Sequence, residues 1–376
     1  MKKLLEPLVC LAVASFFATT NANSQAQFAA STSTVASSPV EKSLFESDSV
    51  LHVKLIGNIR ELMNDRTGTP KSYPFVFSYK TESGNDDSLN ITARTRGHFR
   101  KSLGGCTYPP VLLEFSKSDG LMASAFKEQE RLKLVMPCAG EDYVIREWMV
   151  YKIYNLVTPQ SFKARLVSVE LYDTKKKKGT SPFYGILLEE DRQMAKRNED
   201  VLIKRTLQPQ QTDSAAFLRM AMFEYLIGNT DWSVQYQNIK LIGPDSLAIP
   251  IPVPYDFDHA GLVSPPYAKP AEELLMNSVR DRRYRGYCIP NMGKYDATIS
   301  LYNKLKPDIY KLYTSCPLLD AKYVSSTIKY LDDFYETINN PGAFKKDFAY
   351  PCDKNGTGNV VIKGLKDEDI RDMQQQ

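Results

Sequence analysis

Residues 227–243 read IGNTDWSVQYQNIKLIG, and residues 254–261 read PYDFDHAG. The stretch before them, TDSAAFLRMAMFEYLIG (212–228), is apolar at helical spacing, with Asp213 or Ser214 placed to cap its start and Gly228 to stop it. A polar loop then presents Asn229 and Asp231, and NIKLI (238–242) turns through GPDS into LAIPIPVPYDFD. Pro250, Pro252 and Pro254 remove every second N–H along one edge, while the N–H groups of Ile251, Val253 and Tyr255 can pair on the other. That is one half of a hairpin. Folding NIKLI against it makes Asn238 and Asp256 neighbours, although 18 residues separate them in the chain.

A carboxylate and an amide oxygen that converge with water form a hard-oxygen site suited to magnesium, which commonly grips a triphosphate. Asp231, in the loop beside them, is placed to orient a hydroxyl and accept its proton, as phosphoryl transfer requires. Asp and Asn also form ordinary turns, and GNTD after a helix fits capping alone. The order of loop, hairpin and an acidic residue followed by an aromatic (Asp256-Phe257-Asp258) favours the chemical reading, because it matches the order of the corresponding parts in kinases.

The half of the chain before this stretch reads as strands: VLHVKLIG, YPFVFSYK, LNITART, PPVLLEF and RLKLVM. EDYVIREWMVYKIYNLV (141–157) is helical, with stripes of Ile145, Met149, Ile153, Leu156 and of Val144, Trp148, Tyr151, so it is packed from two sides. ARLVSVELYD and FYGILLEED follow as strands around the lysine run 175–178, a solvated turn. Lys133 lies on a strand, and Glu147 sits on an apolar helix face where a lone carboxylate is costly. Either the two pair and Lys133 also meets nucleotide phosphates, or Lys133 points outward and Glu147 pairs with Arg146 or Lys152. RTRGHFRKSLGG (94–105) offers Arg96, Arg100 and Lys101 either to phosphates or as a basic turn. Glu189, in LLEED, marks the hinge whose backbone would meet a purine. SVRDRRYRGYC (278–288) suits an acidic ligand or a structural bridge. The last hundred residues read as helices, LYNKLKPDIYKLYTS and AKYVSSTIKYLDDFYETI among them.

The chain has 376 residues and a net charge of +4, too balanced to argue for nucleic acid. Lys2 and Lys3 before an apolar run give residues 1–26 the layout of a signal peptide, followed by a Ser/Thr/Ala-rich leader, 27–45. A β-rich lobe is expected over 46–190 and a mainly helical one over 191–376, with no membrane span. The expected location is therefore secreted or periplasmic, where cysteines pair. Cys106–Cys138 is the first expected disulfide, with Cys288, Cys316 and Cys352 left open.

The order of RTRGHFR, RLKLVMPC, VIREWMVYKIYNLVTPQSFKARLVSVELYD, YGILLEED, IGNTDWSVQYQNIKLI and YDFDHAGLV resembles the spore-coat protein H (CotH) family of secreted atypical kinases, over about residues 88–262. The resemblance implies an α+β, two-lobed protein-kinase-like fold with a β-rich N-lobe holding one packed helix and a mainly helical C-lobe. It also implies an exported enzyme that uses ATP and Mg2+ to phosphorylate a protein acceptor. Carried across, Asp231 matches the catalytic aspartate, Asn238 and Asp256 the metal ligands, and Lys133 and Glu147 the nucleotide lysine and its partner; Arg96 and Glu189 complete the nucleotide site. The chain departs from ordinary kinases in the seven-residue step from Asp231 to Asn238, in Asp258 where a glycine is expected, and in lacking a Gly-rich loop. Two other classes remain: a non-catalytic secreted binding protein (a pseudokinase), and a glycan hydrolase using Asp231 and Asp256.

Overall fold

The computed structural model describes residues 42–97, 100, 106–357 and 360. The expected signal peptide and nearly all of the leader lie outside the described residues, as do His98, Phe99 and Lys101 to Gly105 of the basic segment. Strands form where side chains alternate between an apolar and a polar environment: β1 (Leu51–Gly57), β2 (Tyr73–Lys80), β3 (Asp86–Thr95), β4 (Val111–Phe115) and β5 (Arg131–Val135). Beyond the helix come β6 (Ala164–Asp173), the two-residue β7 (Lys178–Gly179) and β8 (Phe183–Glu189).

Seven of these strands close on themselves in the order β1-β2-β3-β4-β5-β8-β6. The closing pair, β1 with β6, is parallel, with Val53 opposite Val169 and Leu55 opposite Leu171. Every other pairing in the ring is antiparallel. The interior is filled by the inward-facing set, including Leu55, Phe77, Ile91, Leu113, Leu134 and Val169. Phe126 enters from the β4–β5 connection and meets the rings of Phe77 and Tyr79 at 5.2 and 4.9 Å. At Gly57 a side chain is sterically forbidden, since a Cβ there would lie 2.3 Å from the Phe75 ring.

This closed mixed barrel corrects the expected two-lobed kinase-like fold. The strands themselves fall where expected, but they make a ring instead of an open N-lobe sheet. Nor do helices and strands part into a β-rich lobe and a helical lobe about a hinge. The outer faces of β5, β6 and β8 (Val135, Ala164, Leu166, Ile186, Leu188) belong to the same core as the helices that follow.

That core is organised by α3 (Glu141–Val157), which is preceded in the chain by the short α1 (Ile59–Asn64) and α2 (Asp119–Ala123). One side of α3 lies on the barrel wall, and the other meets α5 (Ser214–Ile227) and α6 (Asp296–Thr314), as its two apolar stripes require. Leu156 departs from its stripe and is 36% exposed, while Val157 is buried in its place. The remaining helices are α4 (Asp191–Arg197), α7 (Ala321–Asn339) and α8 (Pro341–Phe348). A small sheet, β9 (Val201–Leu202), β10 (Ile239–Gly243) and β11 (Ile251–Pro254), lies beside them in the order β11-β10-β9.

Two disulfides close the chain, Cys106–Cys138 as expected and Cys288–Cys352, spanning 32 and 64 residues. Loops of that length restrict the unfolded chain enough for each bond to contribute about 4 kcal/mol. Cys316 is free. Among the described residues no helix is long and apolar enough to cross a membrane.

Candidate functional site

The expected hairpin forms: β10 and β11 pair with Ile239 opposite Pro254 and Ile242 opposite Ile251, and β11 is the edge strand, where prolines are tolerated. The Tyr255 N–H donates to the Asn238 carbonyl at 3.0 Å, which sets Asn238 and Asp256 at the open end. Both adopt left-handed backbone (φ 59° and 64°), a conformation Asn and Asp enter more readily than other side chains. The helix leading in, α5, is capped by Asp213, whose side chain accepts from the Ala216 N–H at 2.8 Å, and it ends at left-handed Gly228. A Cβ at Gly228 would lie 2.1 Å from the Tyr330 hydroxyl, and its carbonyl accepts from the Gly261 N–H at 3.1 Å. The segment after Asp258 is thereby laid along the helix end.

Asp231 is fixed from three directions. The Asn229 side-chain oxygen accepts its N–H at 3.0 Å, Gln237 donates to its Oδ1, and Asn238 Nδ2 donates to its Oδ2 at 3.1 Å and to its carbonyl at 2.6 Å. With the amide nitrogen of Asn238 engaged in this way, its oxygen has no partner among the described residues and remains available to a ligand. Desolvation pushes the Asp231 carboxyl above its usual range; His259 and Arg285 pull against that push, and Asp258 adds to it.

Asp256 and Asp258 lie on either side of Phe257, which is fully buried against the rings of Tyr151 (4.7 Å) and Phe223 (5.3 Å). The Asp256 N–H donates to the Tyr151 hydroxyl at 3.0 Å, but among the described residues its carboxylate has neither a hydrogen-bond nor an ion-pair partner. Desolvation and the neighbouring Asp258 raise its pKa, with Arg100 and Arg96 opposing. Asp258 is held differently: Arg100 reaches it through Nε at 3.0 Å and Nη2 at 2.9 Å, and the Tyr267 hydroxyl donates at 3.0 Å. Burial would raise its pKa, but Arg100 and His259 outweigh burial and leave it below the usual value. Glu147, one turn before Tyr151 on α3, receives only Arg100 Nη2 at 3.3 Å among the described residues, and burial lifts it to about 8.

Glu147 and Asp258 bond the Arg100 guanidinium directly, Asp256 acts on it electrostatically, and Asp231 acts in turn on Asp256. This excess of negative charge fits a bound cation, and the free oxygens of Asn238 and Asp256 are the hard donors magnesium prefers. Among the described residues no three His, Cys, Asp or Glu side chains form a ready-made metal cage. Magnesium completed by water and phosphate oxygens needs none.

A cationic cluster adjoins the acids. Lys133, on the outer face of β5, bonds Asp191 at the start of α4, and Lys240 reaches the other oxygen of Asp191 at 2.9 Å. The Lys133 ammonium lies 5.1 Å from the ring centres of both Phe162 and Tyr255. Burial lowers it to about 8 against the pull of Asp191, whereas Lys133 and Lys240 together overcome burial to bring Asp191 to about 2. Arg96 acts electrostatically on both Lys133 and Asp256, and among the described residues its guanidinium has no partner.

Lys133 and Glu147 do not pair with each other, nor among the described residues does Glu147 pair with Arg146 or Lys152: Asp191 bonds the lysine and Arg100 the glutamate. Arg100, weighed as a phosphate contact, is instead engaged by acids. The Glu189 carboxylate is bonded by Arg197 at 2.9 and 3.0 Å and by the Lys163 N–H at 2.9 Å, so it staples β8 to its neighbours. Arg280, Arg282 and Arg283 of the segment 278–288 act structurally, but on backbone carbonyls instead of acidic groups: Arg280 on Gly261, Arg282 on Leu226 and Tyr330, Arg283 on Leu274. Asp191, Gln237 and Tyr267 escaped the sequence reading. In the sequence Asp191 closes a strand-like run, Gln237 adjoins Asn238, and nothing near Tyr267 marks it. Neither a scan against protein-family models nor a search of curated proteins finds a match to this chain.

Proposed function

We propose that this chain is a magnesium-dependent phosphotransferase that moves a phosphoryl group from ATP to a hydroxyl of a protein acceptor outside the cytoplasm. The observation that carries this reading is the gathering of Asp231, Asn238 and Asp256 at one hairpin mouth beside Lys133 and Arg96. The barrel is no kinase fold, and chemistry belongs to sites more than to folds. Asn238 and Asp256 would hold the magnesium ion, which when bound supplies positive charge to the phosphates. Arg96 is free to meet phosphate oxygens, and Lys133 adds charge from the barrel wall. Asp231, held by three amides, orients the acceptor hydroxyl and takes its proton; its raised pKa makes it a better base than an ordinary aspartate. The two disulfides support a secreted or periplasmic location.

One observation favours a second reading, a nucleotide-binding protein without turnover. Both carboxylate oxygens of Asp231 already accept amide hydrogen bonds, so a hydroxyl must compete with Gln237 or Asn238. Measuring ADP release and label incorporation from γ-labelled ATP, with magnesium and protein acceptors, separates the two. The transferase reading expects turnover that falls roughly 10²–10⁴-fold in Asp231→Asn with ATP binding retained. Binding without any turnover in the wild type would favour the second reading, and no binding would end both.

A further inference from the structure

We infer that Arg285 is a positioning residue for Asp231, gripping the loop on both sides of the aspartate. The inference rests on the reading of Asp231 as the residue that orients the acceptor. Arg285 comes from the arginine-rich segment 278–288, yet its targets differ from those of its neighbours. Its Nη1 donates to the carbonyls of Thr230 (2.5 Å) and Trp232 (3.2 Å), the residues immediately before and after Asp231. Its Nη2 donates to the carbonyl of Val360 at 2.8 Å. The planar fork therefore spans the loop and a piece of chain more than a hundred residues further on. Its Nε is buried with no partner among the described residues, so the carbonyls, not the Asp231 carboxylate, dictate how the guanidinium lies. A side chain placed only to neutralise a carboxylate would turn its fork toward that carboxylate.

Removing the guanidinium frees the loop on both sides of Asp231, whereas a lysine keeps the charge and loses the planar fork.

The test is amide hydrogen exchange over residues 229–233 in the full chain, in the wild type, Arg285→Gln and Arg285→Lys, with urea denaturation confirming that each is folded. Glutamine keeps one amide donor for the carbonyls, so this variant is chosen to fold where a full truncation fails. Exchange in the loop is expected to rise at least tenfold in both variants, since neither carries the fork. In the transfer assay, both should lower kcat at least tenfold and leave KM for ATP within twofold. Loop exchange that is the same in the folded wild type and Arg285→Gln would overturn the inference. So would a proportional loss of kcat and ATP affinity. Failure of the wild type to bind ATP would overturn the proposed function, and the exchange would still decide whether Arg285 holds the loop.

Discussion

Replacing Arg100 with methionine removes the one cation bonded to both Asp258 and Glu147. Its side chain is 9% exposed and those of its partners 8% and 3%, so water cannot take its place without rearrangement. Breaking a buried pair by removing one partner costs about 3–5 kcal/mol, because the other charge is left uncompensated. Glu147 moderates the loss: lifted to about 8, it is mostly protonated at neutral pH and leaves Asp258 as the main orphan. The unfolding entropy of a chain this long is roughly 0.7 kcal/mol per degree, so the melting temperature should fall by about 4–7 °C at pH 7. The deficit depends on pH with a definite sign. In the wild type the Asp258 pKa lies below its unfolded value, so its stabilisation is present above that value and is lost as pH falls through the folded one. Without Arg100 its folded pKa moves above the unfolded one, and the gap between variant and wild type should narrow steadily toward pH 4. Calorimetric scans from pH 4 to 8 would show this. A uniform deficit across that range, or none at pH 7, would show that Arg100 does not hold Asp258 ionised.

Glu147→Gln probes the opposite sign. A carboxyl raised to about 8 is destabilising once pH exceeds its unfolded pKa, so the wild type should lose stability between about pH 5 and 8 and the variant should show a flatter curve by urea denaturation. Gly228→Ala meets both a left-handed backbone and a Cβ 2.1 Å from the Tyr330 hydroxyl. The conformational penalty alone is about 1 kcal/mol, and the clash should take the loss in chemical denaturation beyond 2 kcal/mol.

Much of the local structure could be read in the chain because it depends on local physics. The span 141–157 carries two apolar stripes and is buried on two sides; the alternating prolines 250, 252 and 254 allow pairing on one edge only, and β11 is an edge strand. Closure of the barrel could not be read in the same way. Alternation in LHVKLIG fixes which side chains of β1 face inward, but not which strand meets its second edge. That partner, β6, begins more than a hundred residues later and pairs in parallel, with no connecting turn to announce it. The site divided along the same line. Asn238 and Asp256 come together through a short hairpin, whose pairing edge the proline pattern gives. The partners of Lys133 and Glu147 depend on where Asp191 and Arg100 arrive from distant segments. The apolar helix face around Glu147 calls for a counter-charge, but its spacing does not say which cation supplies it.

Thermal unfolding of the wild type and Asp256→Ala, with and without ATP and magnesium, decides whether a nucleotide site is built on the Asp256 carboxylate. At a hundredfold excess over its dissociation constant, a ligand specific for the folded state adds about 2.7 kcal/mol, or roughly 4 °C for this chain. That rise is expected in the wild type and should be lost in Asp256→Ala. No rise in a folded wild type, or an equal rise in both proteins, would rule out a nucleotide site on this carboxylate.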